Sequence, residues 1–257
     1  MGEIIAIANQ KGGVGKTTTS VNLAKALVLR RKKVLLIDID PQANCSSGMG
    51  IENTQTSIYD VLISGSMNGA VIAKEHFPDI VPSTRDLTGA EIELVGLENR
   101  EYRLKKALGA IRGNYDFIFI DCPPSLGLLT INALSAADSI LIPLQCEFYA
   151  LEGLGKLLST LKYVRDAFNE HLHIKGVILT MYDSRLNLTS QITDEIKKFF
   201  GENLFSTVIP RNVRLAEAPS FGKDIFEYDK NSAGAESYMK LSGEFLSREK
   251  KNEQQKG

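Results

Sequence analysis

Tryptophan is absent from this chain of 257 residues, cysteine occurs three times, and the formal charge nearly cancels at −1. Each scarcity excludes something. Cys45, Cys122 and Cys146 contain no C-x-x-C pair, so they argue against a disulfide framework and for a reduced, cytoplasmic setting. A redox cluster shared across a dimer needs paired thiolates from each subunit, and no spacing among the three compels one. Small buried cysteines are the simpler expectation. No apolar run approaches the roughly 18–20 residues of a membrane span, and the opening residues carry no secretory apolar stretch. Ala6 stands where a myristoylation signal needs Ser or Thr. Near-neutrality excludes a chain that is basic throughout, so any nucleic-acid site has to be a local patch, assembled by dimerisation. Pro- or Ser-rich linkers and internal repeats are missing as well, and the length suits one domain.

What is present is an alternation. Apolar runs at Ile4–Ala8, Val34–Asp38, Phe117–Asp121, Ser139–Pro143, Lys175–Thr180 and Thr207–Pro210 read as strands covered on both faces. Between them run helical stripes: Val21, Ala24, Leu27, Val28; then Leu151, Leu154, Leu157, Leu158, Leu161; then Leu188, Ile192, Ile196, Phe199. This order predicts an α/β fold, a mostly parallel doubly wound sheet with helices on both faces and ligand at the strand C-termini. Residues 52–100 are the least regular and are expected to be a helical insertion. Tyr238, Leu241 and Phe245 suit a core-packed helix. From Ser247 to Gly257 no apolar face remains, so a mobile tail is expected there and membrane insertion is not. Arg30-Arg31-Lys32-Lys33 is expected to complement the C-terminal dipole of the first helix.

The most informative stretch is Lys11-Gly12-Gly13-Val14-Gly15-Lys16-Thr17-Thr18, lying between the first strand and the first helix. Strand, glycine loop and helix in that order form a phosphate-cradling P-loop. Glycines let backbone N–H groups face phosphate oxygens, and the helix opening at Thr17 adds the positive end of its dipole. Lys16 is expected to neutralise the β/γ-phosphates, and Thr17 to sit on Mg²⁺. The usual G-x-x-x-x-G-K-[ST] pattern is broken, because Gln10 replaces its first glycine and Lys11 adds a second cation. Such a lysine reaches a phosphate from outside, most easily that of a facing subunit.

Asp38 and Asp40 close the second strand on one side of the alternation. Asp121 ends another strand, where an acid holds Mg²⁺ through water. Pro123 and Pro124 then stop that strand. Pro210-Arg211-Asn212 follows the last apolar run. There Asn212 can pair with an adenine edge or simply cap a turn.

The loop resembles the deviant Walker A of the ParA/MinD ATPases. Asp38-Ile39-Asp40-Pro41-Gln42-Ala43-Asn44, Ile120-Asp121-Cys122-Pro123-Pro124-Ser125 and Val208-Ile209-Pro210-Arg211-Asn212 extend the likeness over almost the whole length, nearest the Soj/ParA branch. The resemblance implies a single P-loop ATPase domain over residues 1–257. It implies ATP and Mg²⁺ at residues 11–18 and at Asp121, adenine at Pro210 and Asn212, and catalysis by Lys11, Lys16 and Asp40. Asp40 would align the attacking water, with Asp38 in a supporting role. It also implies a nucleotide-dependent homodimer, nonspecific double-stranded DNA held through Arg185 and Arg214, and a ParB-type centromere-binding partner that stimulates hydrolysis. Lys197, Lys198, Arg211 and Lys223 are plausible neighbours on the DNA face. Without a helix-turn-helix or zinc module, base-specific reading is not expected. Two other readings stay open: an organiser of a different cargo, and a small-molecule ATP-dependent enzyme on the same fold.

Overall fold

The structure is a computed structural model that describes residues 2–147 and 150–256. Six strands build one parallel sheet: β1 (Glu3–Ile7), β2 (Val34–Asp38), β3 (Asp79–Val81), β4 (Phe117–Asp121), β5 (Ser139–Gln145) and β6 (His173–Thr180). Their order is β3-β2-β4-β1-β5-β6, with β1 in the centre. The P-loop therefore leaves the middle of the sheet, flanked by the ends of β4 and β5. Register places Asp38 opposite Asp121, and Ile7 opposite Asp121 on the other side. Two acidic strand ends thus meet beside the loop.

The helices in the first half are α1 (Lys16–Leu29), α2 (Asn44–Gly48), α3 (Ile58–Ser64), α4 (Leu87–Glu93), α5 (Arg103–Gly109) and α6 (Leu128–Ala136). The second half adds α7 (Ala150–Ala167), α8 (Asn187–Phe200), α9 (Val213–Glu217), α10 (Ile225–Asp229) and α11 (Ala233–Lys256). Among the described residues no helix is long and apolar enough to cross a membrane.

Strand alternation divides the core into two layers. Ile4, Ala6 and Ala8 face one layer with Leu35, Ile37, Ile118 and Ile120. Ile5 and Ile7 face the other with Leu36, Phe117, Phe119, Leu23 and Leu27. Tyr238, Leu241 and Phe245 of α11 are fully buried in that second layer, and the Phe245 ring meets Phe117 edge-on at 5.2 Å. Each such buried side chain contributes about 1.5–3 kcal/mol, so α11 is a core element.

Several sequence expectations change in detail. Residues 52–100 are not helical throughout, because Asp79–Val81 forms β3, the edge strand on β2. Thr207–Pro210 does not join the sheet as a strand and makes only a single bridge, Tyr182 with Pro210. A proline supplies no N–H to a ladder, which limits pairing there. On α8 the buried stripe is Thr189, Ile192, Ile196 and Phe200; Leu188 and Phe199 face solvent. In the α7 stripe Leu154, Leu157 and Leu161 are buried, and the side chain of Leu151 lies outside the described set. Helix α11 continues through Lys256, across most of the stretch expected as a tail; Gly257 lies outside the described residues. Arg248 donates to the carbonyls of Glu202 and Leu204, and Lys175 donates to Glu249 and Glu3. Arg30 donates to Ser242 and to the Met239 carbonyl, tying the end of α1 to α11.

Candidate functional site

Helix α1 starts at Lys16, one residue earlier than expected, with Gly15 as its N-cap at φ 84° and Gly13 at φ 74°. Both values lie in the left-handed region that glycine adopts without strain. Thr180, at the end of β6, donates to the Val14 carbonyl at 2.8 Å and fixes the far side of the loop. Asn9 fixes the near side: its amide donates to the Pro143 carbonyl at 2.8 Å, and its side-chain oxygen accepts from the Lys11 N–H.

Below the loop, Asp121 collects hydroxyls from one face of α1. Thr17 donates to Oδ2 and Ser20 to Oδ1, each at 2.7 Å. Thr17 and Ser20 are one helical turn apart, so their side chains share a face. Lys16 Nζ donates to the Lys11 carbonyl at 3.1 Å. Burial holds the Lys16 ammonium below its ordinary range, against the pull of Asp121. Burial, reinforced by the nearby Asp38 charge, pushes Asp121 up to about 7, and burial pushes Asp38 up to about 6. Two buried carboxylates beside one cation make an electrostatically underpaid site that a divalent cation would balance.

Asp40 lies next to this pair and is mostly buried. Its Oδ1 accepts from the Gln42 N–H at 2.9 Å, while Oδ2 has no protein partner among the described residues. Asp40 does not cap α2, whose N-cap is Ala43. Asp38 is tied down by three donors: the N–H groups of Asp40 and Ser46, and the Ser46 hydroxyl at 2.7 Å. A carboxylate with its oxygens so occupied is held away from solvent. Lys11 pairs within its own chain with Glu147, both side chains being about two-fifths exposed.

Known proteins resemble this chain over almost its whole length. A family model described as an AAA domain matches residues 2–174. The sporulation initiation inhibitor protein Soj of Bacillus subtilis (strain 168) is 56% identical over 248 residues, covering 95% of this chain and 98% of the relative. The chromosome partitioning protein ParA of Myxococcus xanthus (strain DK1622) is 50% identical over 253 residues, covering 97% and 89%. The chain belongs to the Soj/ParA family of chromosome-partitioning P-loop ATPases. A solved structure of cobyrinic acid a,c-diamide synthase from Mycobacterium smegmatis, with bound ADP and magnesium, superposes with a TM-score of 0.84 at 34% identity, covering 97% of this chain and 96% of that one.

Magnesium fits what this Soj/ParA family member presents. The Thr17 hydroxyl and Asp121 carboxylate are hard oxygen donors in contact with each other, and their surroundings carry excess negative charge. The peripheral residues differ in how they are engaged. Asn212 caps α9, its side-chain oxygen accepting from the Leu215 N–H at 3.3 Å. Pro210 sits beside Tyr182 in the bridge that ends this loop. Arg185 is exposed and paired with Asp183 at 2.6 Å, and Arg214 is half exposed and paired with Glu217 at 2.9 Å. Buried Cys45 and Cys122 pack as small core groups, their thiols pushed up by burial.

Sequence reasoning missed Ser20, Ser46, Ser83 and Glu147. Ser20 had a signal, its helical spacing from Thr17. The others reach the site from separate elements, so spacing along the chain held nothing to find them by.

Proposed function

We propose that this chain is an ATP-driven DNA-partition switch. ATP and Mg²⁺ bind at residues 11–18, with Lys16 on the phosphates, Thr17 and Asp121 around the cation, and Pro210 and Asn212 toward the base. Bound Mg²⁺ supplies charge neutralisation at the phosphates; positioning is left to the protein. The observation that carries this reading is the junction of P-loop, Thr17, Ser20 and Asp121 at the paired acidic ends of β2 and β4. Two protomers close face to face over two nucleotides. Lys11 leaves Glu147 to contact the other protomer's phosphates, and Asp40, with Oδ2 open, aligns water.

The closed dimer holds double-stranded DNA without sequence preference through Arg185 and Arg214, and associates with the nucleoid in the cytoplasm. Hydrolysis is slow until a ParB-type partner accelerates it, and it releases the DNA. The test is binding to unrelated duplex DNA with ATP, ADP or no nucleotide, for wild type and Asp40→Ala. ATP-dependent, salt-sensitive binding that Asp40→Ala prolongs is expected. Absence of binding at low salt by a formed ATP dimer would overturn the DNA reading.

A second reading is favoured by the likeness to a protein named as a diamide synthase. A small-molecule enzyme would show turnover stimulated by its substrate and indifferent to DNA and partner protein.

A further inference from the structure

The main chain of Asp40 is clamped at both ends, locally by Asp38 and by the Ala43 N–H at 2.9 Å, and from a distant segment by Ser83. Its N–H donates to Asp38 Oδ1 at 3.1 Å, and its carbonyl accepts from the Ser83 hydroxyl at 2.8 Å. Ser83 also donates its own N–H to Ser46 Oγ at 2.9 Å, and Ser46 Oγ donates in turn to Asp38 Oδ2 at 2.7 Å. The ring of bonds is closed: Asp40 to Ser83, Ser83 to Ser46, Ser46 to Asp38, Asp38 to Asp40. Ser46 and Ser83 are 2% and 5% exposed, so water does not compete for these bonds. Ser83 follows the short edge strand β3, within the stretch that reads as a mere insertion in the sequence.

We propose that Ser83, with Ser46 as its relay to Asp38, is a positioning residue for hydrolysis, fixing the backbone from which the Asp40 carboxylate hangs. The proposal rests on the reading of Asp40 as the water-aligning group. A carboxylate two bonds from a free main chain swings through ångströms. With the main chain held at its N–H and C=O, and Oδ1 accepting from the Gln42 N–H at 2.9 Å, both the base and the tip of the side chain are fixed and Oδ2 keeps one position. In phosphoryl transfer, where the protein contributes chiefly position and charge, an ångström of misplacement costs on the order of 10²-fold in rate. Ser83 lies outside the P-loop and reaches Asp40 only through this carbonyl, so its loss should leave ground-state nucleotide binding alone.

The experiment is a double-mutant cycle read by single-turnover ATP hydrolysis, with nucleotide affinity and melting temperature measured on the same samples. Ser83→Ala is expected to slow the chemical step about tenfold with affinity changed less than about twofold. In the Asp40→Ala background the same substitution is expected to have no further effect on rate, because a positioning residue has nothing left to position. A rate in Ser83→Ala equal to wild type, or an equal additional loss in the Asp40→Ala background, would overturn the proposal. Should Ser83→Ala fail to fold, Ser46→Ala opens the ring from its other side. Slowed chemistry with retained affinity is expected there too, and an unchanged rate counts against the ring. Normal turnover by Asp40→Ala alone would instead remove the reading of Asp40 itself, an outcome distinct from a silent Ser83.

Discussion

At the scale of single residues, the site is governed by carboxylates that burial makes reluctant to ionise. Asp121 shifts from an ordinary 3.8 to about 7 through burial and the neighbouring Asp38. The folded state then binds this proton more tightly than the unfolded chain. Without Mg²⁺, stability is fullest below the unfolded value and falls as pH rises through about 4 to 7. Asn at 121 removes that slope and keeps bonding possible, since the Thr17 and Ser20 hydroxyls can turn to accept. In chelator, Asp121→Asn minus wild type is expected to favour the variant by at least about 1 kcal/mol more at pH 8 than at pH 5. Parallel melting curves across that range would contradict the account in which burial raises Asp121. The Lys11–Glu147 pair is a different case, because both partners are partly exposed. Exposed pairs contribute roughly 0–1 kcal/mol, so Glu147 restrains Lys11 only weakly. Lys11→Ala is expected to keep nucleotide affinity within a few-fold and to abolish ATP-dependent dimerisation by sedimentation. Glu147→Gln is expected to strengthen dimerisation by no more than about fivefold; a larger change in either direction would assign Glu147 a contact of its own in the dimer.

At the scale of elements, α11 shows how a charged sequence can be structural. Beyond Leu246 the residues carry no apolar stripe, so they read as a solvated tail. Arg248 nevertheless donates to two carbonyls after α8, pairs with Glu244 at 2.8 Å and lies 4.0 Å from the Phe205 ring centre. Glu244 is a helical neighbour, but the two carbonyls are 46 and 44 residues upstream, where no periodicity can reveal them. Charge-assisted bonds to main-chain carbonyls contribute more than exposed pairs do. Arg248→Ala is expected to cost about 2 kcal/mol in urea denaturation, and a cost under about 0.5 kcal/mol would restore the solvated-tail reading. The same logic explains what else was legible. Strands β1, β2, β4, β5 and β6 announce themselves as continuous apolar runs because both faces are covered, and the P-loop is a contiguous motif. Strand β3 has three residues, too few to show a pattern, and its place beside β2 is a tertiary choice. The α8 stripe keeps Ile192 and Ile196 and differs only at its ends; Phe199 and Phe200 are equally apolar and only packing selects one. Register put Asp38 beside Asp121, a juxtaposition that the sequence order of two distant strands leaves open.

At the scale of the whole molecule, near-neutrality turns the proposed DNA binding into a counting problem. A chain of net charge −1 gains no general attraction to a polyanion, so affinity must come from a few local contacts, multiplied by symmetry. Arg185 and Arg214 are each occupied by acids of their own chain, so a phosphate has to displace Asp183 or Glu217. On the proposed reading, that exchange makes the contacts modest singly and dependent on two protomers acting together. Salt reports the number directly: the slope of log affinity against log salt changes by about 0.9 for each phosphate neutralised on duplex DNA. If the ATP-bound dimer is the binding species, one arginine substitution removes two phosphate contacts, one per protomer. Arg185→Ala or Arg214→Ala is then expected to lower the slope by about 1.8, and a binding monomer would lose only about 0.9. An unchanged slope would mean that the arginine stays with its own carboxylate and that other cations hold the DNA. The comparison is made in the Asp40→Ala background, where slow hydrolysis keeps the bound state constant through the titration. Because the quantity is a slope, it is insensitive to the fraction of active protein, and it separates the stoichiometry of the switch from its strength.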